Sequence, residues 1–323
     1  LIFSLSVYER NLTERIAMLE KLLSLFPPSD NQATELHTRL LFDAYNRTDP
    51  AKALALAQEM TVLLPERSAA KQDWQGFVQY AQSMLLAATL MDRKSYTEVM
   101  TLLNKLTPPY LVSADPQTLL LAKAADMAGN TAQAYQILAS AVAEQPSDAL
   151  QPALVSYGLR LEKTPAQVED EVWTIRIKKA PVLGDFELGS LLDRKKVRLS
   201  DYRGRIVLVD FWYPGEWRCR DDLPHLKQML DKYGPRGLTV ITVNVNPAED
   251  AIAAVLMRRY GFVSLCVPYT GWATSTYKIY STPTYILIDQ RGRVLFRPAF
   301  WSSDLQHTFE LEVEAMLAHK SKR

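Results

Sequence analysis

The sequence predicts two regions of different class, an N-terminal helical-hairpin repeat array followed by an α/β domain. Three observations predict this. Residues 1–162 consist of helix formers with three glycines, Gly76, Gly129 and Gly158, and with prolines at segment ends. Residues 181–300 carry β-branched runs separated by Gly and Pro turns. The first texture suits helices that bury one stripe, the second strands that alternate with helices. A chain of 323 residues is also long enough for about two domains.

Composition narrows the classes. With 48 % hydrophobic and 23 % charged residues, the chain has the make-up of a globular protein with a core. The 37 basic and 36 acidic side chains leave a net charge of +1, which gives no electrostatic reason to expect nucleic acid. No apolar run approaches the ~18 residues that would cross a bilayer. Two cysteines, Cys219 and Cys266, cannot build a disulfide framework, and His37, His225, His307 and His319 lack ligand spacing. No metal and no cofactor is expected. The run Leu1 to Tyr8 is apolar but short and has no basic segment before it, so it does not read as an intact signal peptide.

In the helical half, an Asn or Asp is followed sixteen residues later by Pro in four places: Asn11 to Pro27, Asp49 to Pro65, Asp92 to Pro108 and Asn130 to Pro146. Asn and Asp cap helix N-termini, and Pro commonly follows a helix end. Apolar residues recur at the same offsets from each cap: Leu19, Ala57, Met100 and Leu138, then Leu22, Met60, Leu103 and Ala141. These offsets share one helical face. Further helices are expected near 33–47, 70–91 and 116–128. Stacked hairpins of this kind bury their core against their neighbours. The pattern resembles tetratricopeptide-type repeats, most clearly from Ala128-Gly129-Asn130 to Pro146, although the repeat starts are unevenly spaced. The first repeat lacks most of its leading helix. Leu1 to Glu9 reads as its remnant, and a precursor extending upstream is expected.

Residues 163–180 read as a linker between a domain at 1–162 and one at 181–323. Thr164 caps a short helix over Pro165 to Trp173. Arg194, Lys195, Lys196 and Arg198 form a basic cluster that a solvated hairpin turn explains as well as a partner site does.

In the second half, Ile206 to Trp212 is an apolar run of buried-strand type, and Pro214 and Gly215 turn the chain. Cys219 to Tyr233 follows as a helix with Leu223, Leu226 and Leu230 on one face. A strand is expected at Leu238 to Val245, a helix at Ala248 to Tyr260 and a strand near Val263 to Val267. Thr284 to Asp289 and Val294 to Arg297 form a hairpin across Gln290-Arg291-Gly292, and a last helix runs from Ser303 to Ala318.

Three segments carry a family resemblance. Leu199-Ser200-Asp201-Tyr202-Arg203-Gly204-Arg205 is similar to the segment before the first central strand of TlpA/ResA-like thioredoxins, a branch grouped with the alkyl hydroperoxide reductase (AhpC/TSA) superfamily. Val209-Asp210-Phe211-Trp212 resembles the strand that delivers their active site. Ser281-Thr282-Pro283-Thr284-Tyr285-Ile286-Leu287-Ile288-Asp289 resembles their segment around a cis-proline. The element order, β-α-β-α-β-β-α after a hairpin near 188–199, is that of the thioredoxin fold. The resemblance implies a thioredoxin fold, a cis Thr282–Pro283 bond facing the motif, and an extracytoplasmic location, periplasmic or tethered to a membrane.

The departure from the family lies at the motif. Where the family carries F-W-x-x-W-C-x-x-C, this chain reads Phe211-Trp212-Tyr213-Pro214-Gly215-Glu216-Trp217-Arg218-Cys219. The resemblance puts Glu216 in the place of the attacking cysteine and Cys219 in that of the resolving one. Dithiol exchange needs an exposed thiolate at the helix N-terminus and a second thiol to resolve the mixed disulfide. A glutamate there suits the helix field as an anion but forms no disulfide. Asp210 matches a buried carboxylate used in proton transfer. Either two carboxylates, Asp210 and Glu216, share a patch, or Asp210 is paired with a nearby polar group. A peroxiredoxin reading fails, because Glu216 and Trp212 stand where that family needs Thr or Ser and Pro.

The expected function is a non-catalytic protein-binding or scaffold module. A polypeptide partner would lie beside Thr282 and Pro283, partly by β-addition, with Trp212 and Trp217 near the rim; core packing is the alternative for both tryptophans and stands level with the rim for Trp212. The alternative is a single-cysteine thiol-disulfide oxidoreductase using Cys219. Acid/base chemistry by Glu216 and Asp210 ranks last, for want of a substrate pocket or nucleophile.

Overall fold

The computed structural model describes residues 9, 11–28, 32–66, 68–297 and 303–320. The expected helix remnant at Leu1 to Glu9 lies, apart from Glu9, outside them. The chain divides into two compact units, Leu1–Ala143 with Ser147–Val172, and Glu144–Pro146 with Trp173–Arg323.

Among its described residues the first unit consists of helices joined by turns and loops. Its helices are α1 (Leu12–Leu25), α2 (Gln32–Thr48), α3 (Pro50–Leu63), α4 (Ala69–Asp92), α5 (Tyr96–Leu103), α6 (Asp115–Met127), α7 (Thr131–Glu144) and α8 (Gln151–Arg160). From α1 to α6, each helix packs on the next. Three of the expected caps form. Asn11 Oδ1 accepts from the Thr13 and Glu14 amides at 3.0 and 3.4 Å. Asp49 accepts from the Lys52 amide at 3.2 Å, and Asn130 from the Gln133 amide at 2.9 Å. Each such cap stabilises its helix by about 1 kcal/mol. Asp92 is a correction. It ends α4, and Ser95 takes the N-cap of α5, because Arg93 and Lys94 first close the α4 C-terminus and Lys94 turns the chain at φ +61°.

The repeated apolar positions point inward. Leu19, Leu22, Ala57, Met60, Leu103 and Leu138 are buried. Phe42, Trp74 and Phe77 form an aromatic knot, with Phe42 and Phe77 edge to face at 4.9 Å. That geometry favours the ring edge against the neighbouring face. Helix α9 (Pro165–Lys179) runs past the stop expected at Trp173 and crosses the division between the units.

The second unit is built on one mixed sheet. Its strands are β1 (Glu187–Ser190), β2 (Lys196–Arg198), β3 (Ile206–Trp212), β4 (Leu238–Asn244), β5 (Val263–Cys266), β6 (Thr284–Ile288) and β7 (Val294–Phe296). They lie in the order β2-β1-β5-β4-β3-β6-β7. β3 runs parallel to β4 and antiparallel to β6, while β4 and β5 are parallel. All seven residues of β3 and all seven of β4 are buried, as fits central strands covered on both faces. One face packs Val209, Phe211, Ile241, Val243 and Ile286 against α12 (Trp272–Tyr277), a short helix absent from the sequence reading. The other carries α10 (Trp217–Tyr233), α11 (Asp250–Met257) and α13 (Ser303–Lys320). Met257 of α11 accepts from Thr242 on β4, and Phe309 of α13 meets Tyr285 of β6 edge to face at 5.6 Å.

The β6–β7 hairpin turns at Gly292, whose φ is +86°. That left-handed backbone favours glycine, and an added Cβ would stand 1.9 Å from the Arg203 guanidinium, which would have to move aside.

Candidate functional site

β3 delivers the site. Its buried, β-branched register ends at Trp212, and the chain leaves the sheet through Tyr213-Pro214-Gly215 into α10. Thr284 pairs with Phe211 across the β3–β6 ladder, so the segment before it arrives beside the end of β3. The Thr282–Pro283 peptide bond there is cis, and Pro283 is buried.

The loop is held from three sides. The Gly215 amide donates to Glu249 Oε2 at 2.7 Å, and an added Cβ on Gly215 would lie 2.9 Å from Glu249 Oε1. The Arg220 guanidinium donates to the Pro214 carbonyl. Glu216 sits at the N-cap of α10, accepting from the Arg218 amide at 3.4 Å and from Arg218 Nε at 3.0 Å. Its carboxylate occupies the positive end of the helix, where an anion is favoured. The Arg218 guanidinium also lies 6.0 Å over the ring of Trp217, which is 46 % exposed.

Cys219 follows one turn on and is buried at 1 % exposure. Burial pushes its thiol well above the usual range, and the Asp210, Asp222 and Glu216 carboxylates push the same way. The backbone of Tyr213 hydrogen-bonds the sulfur and acts in the opposite sense, without overcoming them. A thiolate is therefore strongly disfavoured, and the thiol is the resting form.

Asp210 lies inside the protein with Oδ1 unpartnered among the described residues. Burial, and then the charge of Asp222, hold its carboxyl well above the ordinary range. Tyr285 Oη donates to Asp222 Oδ2 at 2.5 Å, and burial with the two carboxylates keeps that phenol protonated. Asp210, Cys219, Asp222 and Tyr285 thus form one buried polar cluster between β3, α10 and β6.

Two expectations are corrected here. Trp212 does not line a groove. It is 0 % exposed, because β3 lies between β4 and β6 under helices on both faces, so its last side chain is interior like the rest. The carboxylate acting on Asp210 is Asp222 rather than Glu216, because the Glu216 side chain turns to Arg218. Asp222 and Tyr285 escaped the sequence reading, although a carboxylate three residues after Cys219, beside Leu223 and Leu226 on an inward helix face, was a signal. Cys266 lies apart, donating to the Gly189 carbonyl at 3.4 Å beside the Arg194 guanidinium.

Comparison with known proteins agrees with this architecture. Residues 178–297 match the AhpC/TSA family. That stretch is an AhpC/TSA-family thioredoxin-fold domain. Among curated relatives, the AhpC/TSA domain is 26 % identical over 106 residues to the thiol-disulfide oxidoreductase ResA of Bacillus thuringiensis subsp. konkukian, covering 32 % of this chain and 60 % of that protein. It is 29 % identical over 113 residues to the ResA of Geobacillus thermodenitrificans, covering 34 % and 63 %. The chain spans about three fifths of the length of the curated relatives it matches. A solved structure described as a thiol:disulfide interchange protein DsbE from Chlorobium tepidum is 29 % identical, with a TM-score of 0.40, covering 43 % of this chain and 97 % of that one. Among the described residues no helix is long and apolar enough to cross a membrane, and no group of three or more His, Cys, Asp or Glu side chains is placed to hold a metal.

Proposed function

We propose that the AhpC/TSA domain is a thioredoxin-like module that binds polypeptide without redox catalysis, its attacking thiol replaced by the carboxylate of Glu216. The observation that carries this reading is Glu216 at the N-cap of α10, ion-paired to Arg218, with Cys219 buried one turn below. A carboxylate at that position cannot attack a disulfide. A thiol that is shielded and held protonated cannot replace it. What remains is the segment at Pro283 beside the end of β3 and, at the start of α10, the exposed Trp217, where an extended segment can add backbone hydrogen bonds and rest on an aromatic ring. The helices of the first unit, read as tetratricopeptide-like hairpins, supply a second surface suited to polypeptide. The resemblance to TlpA/ResA-like proteins supports an extracytoplasmic setting, with a membrane tether as one form of it.

Thiol chemistry tests the reading. The protein should not accelerate reduction of a peptide disulfide beyond the rate of the dithiol alone, and Cys219 should react with a maleimide only after denaturation. Acceleration over the uncatalysed reaction, or rapid labelling of native Cys219 near neutral pH, would support the single-cysteine oxidoreductase instead.

A further inference from the structure

The outward surface of α11 departs from what a solvated helix carries. Its inward residues, Ala253 and Met257, are buried, while Ala251, Ile252 and Val255 point away from the sheet. Ile252 is 56 % exposed and Val255 63 % exposed. A face turned to water is ordinarily polar. Here the apolar stripe continues directly into Arg258 and Arg259, both exposed.

The strand register shows what lies beside it. Thr242 bonds Met257 of α11 and pairs with Ser264, so Ser264 and Cys266 point to the α11 side of the sheet. Cys266 pairs with Gly189, Gly189 with Lys196, and Glu187 with Arg198. Paired residues share a face. Lys196 and Arg198 therefore project from the exposed β1–β2 edge to the same side as α11. Arg194, in the turn of that hairpin, reaches to 3.9 Å from Asp250 at the start of α11. The result is an aliphatic stripe flanked by five cations: Arg194, Lys196, Arg198, Arg258 and Arg259. Carboxylates stand against two of them: Glu187 lies 2.7 Å from Arg198, on which Asp201 and Asp185 also act, and Arg194 faces the Asp250 just described. Lys196, Arg258 and Arg259 have no ion-pair partner among the described residues.

We infer that this face is a docking surface for an anionic phospholipid bilayer. The combination is selective. Cations alone would suit any polyanion, but a nucleic-acid backbone would leave Ile252 and Val255 in water. A bilayer interface takes both, receiving the aliphatic side chains at the headgroup boundary while its anionic headgroups meet the cations. The stripe is the outer surface of a helix, as insertion into an interface requires. The inference goes beyond the proposed function and does not rest on Glu216. Docking would still connect to the site, since Glu249, the residue before α11, holds the Gly215 amide.

Sedimentation with vesicles tests this, using the full chain and either phosphatidylcholine alone or phosphatidylcholine with about one third phosphatidylglycerol. The protein should sediment with the anionic vesicles and not with the neutral ones, and added salt should release it. The double variant Arg258→Gln/Arg259→Gln should weaken binding by about fivefold per arginine removed. Ile252→Asp should abolish it. Both changes are at exposed positions, and an unaltered unfolding midpoint would show that the fold is kept. Absence of binding to anionic vesicles would overturn the inference, including the case in which the variants instead lose an acidic protein partner. Binding that the variants leave unchanged would overturn it equally.

Discussion

Arg218 donates to Glu216 at 3.0 Å across the first turn of α10, and this ion pair occupies the place where the family resemblance locates an attacking sulfur. The pairing neutralises the carboxylate without removing it from the N-cap. Glu216 therefore has a local structural role alongside its consequence for chemistry. Replacing it with alanine removes a cap and a half-exposed ion pair. Glu216→Ala should destabilise the domain by about 0.5–1 kcal/mol, near the lower end for N-caps because solvent screens the pair. Urea unfolding measures this, and Glu216→Asp should recover part of the loss.

Beneath that turn, the Tyr285–Asp222 hydrogen bond is fully interior. Tyr285→Phe keeps the ring against Phe309 and deletes only the donor. Leaving a buried carboxylate short of a partner costs about 1–3 kcal/mol, and chemical denaturation should report a loss of that size. A change within error would mean that Asp222 is satisfied without the phenol.

Asp210 makes a pH-dependent contribution of known sign. Its carboxyl holds a proton more tightly when folded than when unfolded, because burial and Asp222 oppose the charge. Its contribution to stability is full below the ordinary carboxylate value and is lost as pH rises toward the native-state value. Asp210→Asn removes that titration. The stability of the variant relative to the parent should rise with pH above about 4, with a slope approaching ~1.4 kcal/mol per pH unit while only the unfolded carboxyl ionises. Paired denaturation curves across the acid-to-neutral range measure it. A difference independent of pH would contradict the protonated assignment.

Much of this was legible in the chain. The runs Ile206 to Trp212 and Leu238 to Val245 announced buried strands because apolar, largely β-branched residues dominate them, and Gln290-Arg291-Gly292 announced a hairpin turn. Cap and proline spacing located α1, α3 and α7, since an Asn or Asp cap is a local signal. The failures were tertiary. Asp92 resembles a cap in sequence, but the tight Arg93–Lys94 turn hands the position to Ser95. Trp212 reads equally well as a groove wall or as core until the strands on either side are known. Asp222 could be recognised as a neighbour of Asp210 only once α10 was laid across β3. The short α12 has only Trp272 to Tyr277 between two left-handed residues, Gly271 and Lys278, too few for a periodic pattern.

The measurement that bears most directly on the role of Glu216 is oxidation of the Glu216→Cys variant. With Cys219 one helical turn away, the variant should form an intramolecular disulfide under a mild oxidant. Loss of free thiol, a matching loss of two hydrogens by mass spectrometry, and recovery with a dithiol would record it. Persistence of both thiols in a folded variant would contradict the account, because the carboxylate at 216 would then not stand where a reacting sulfur can meet its partner.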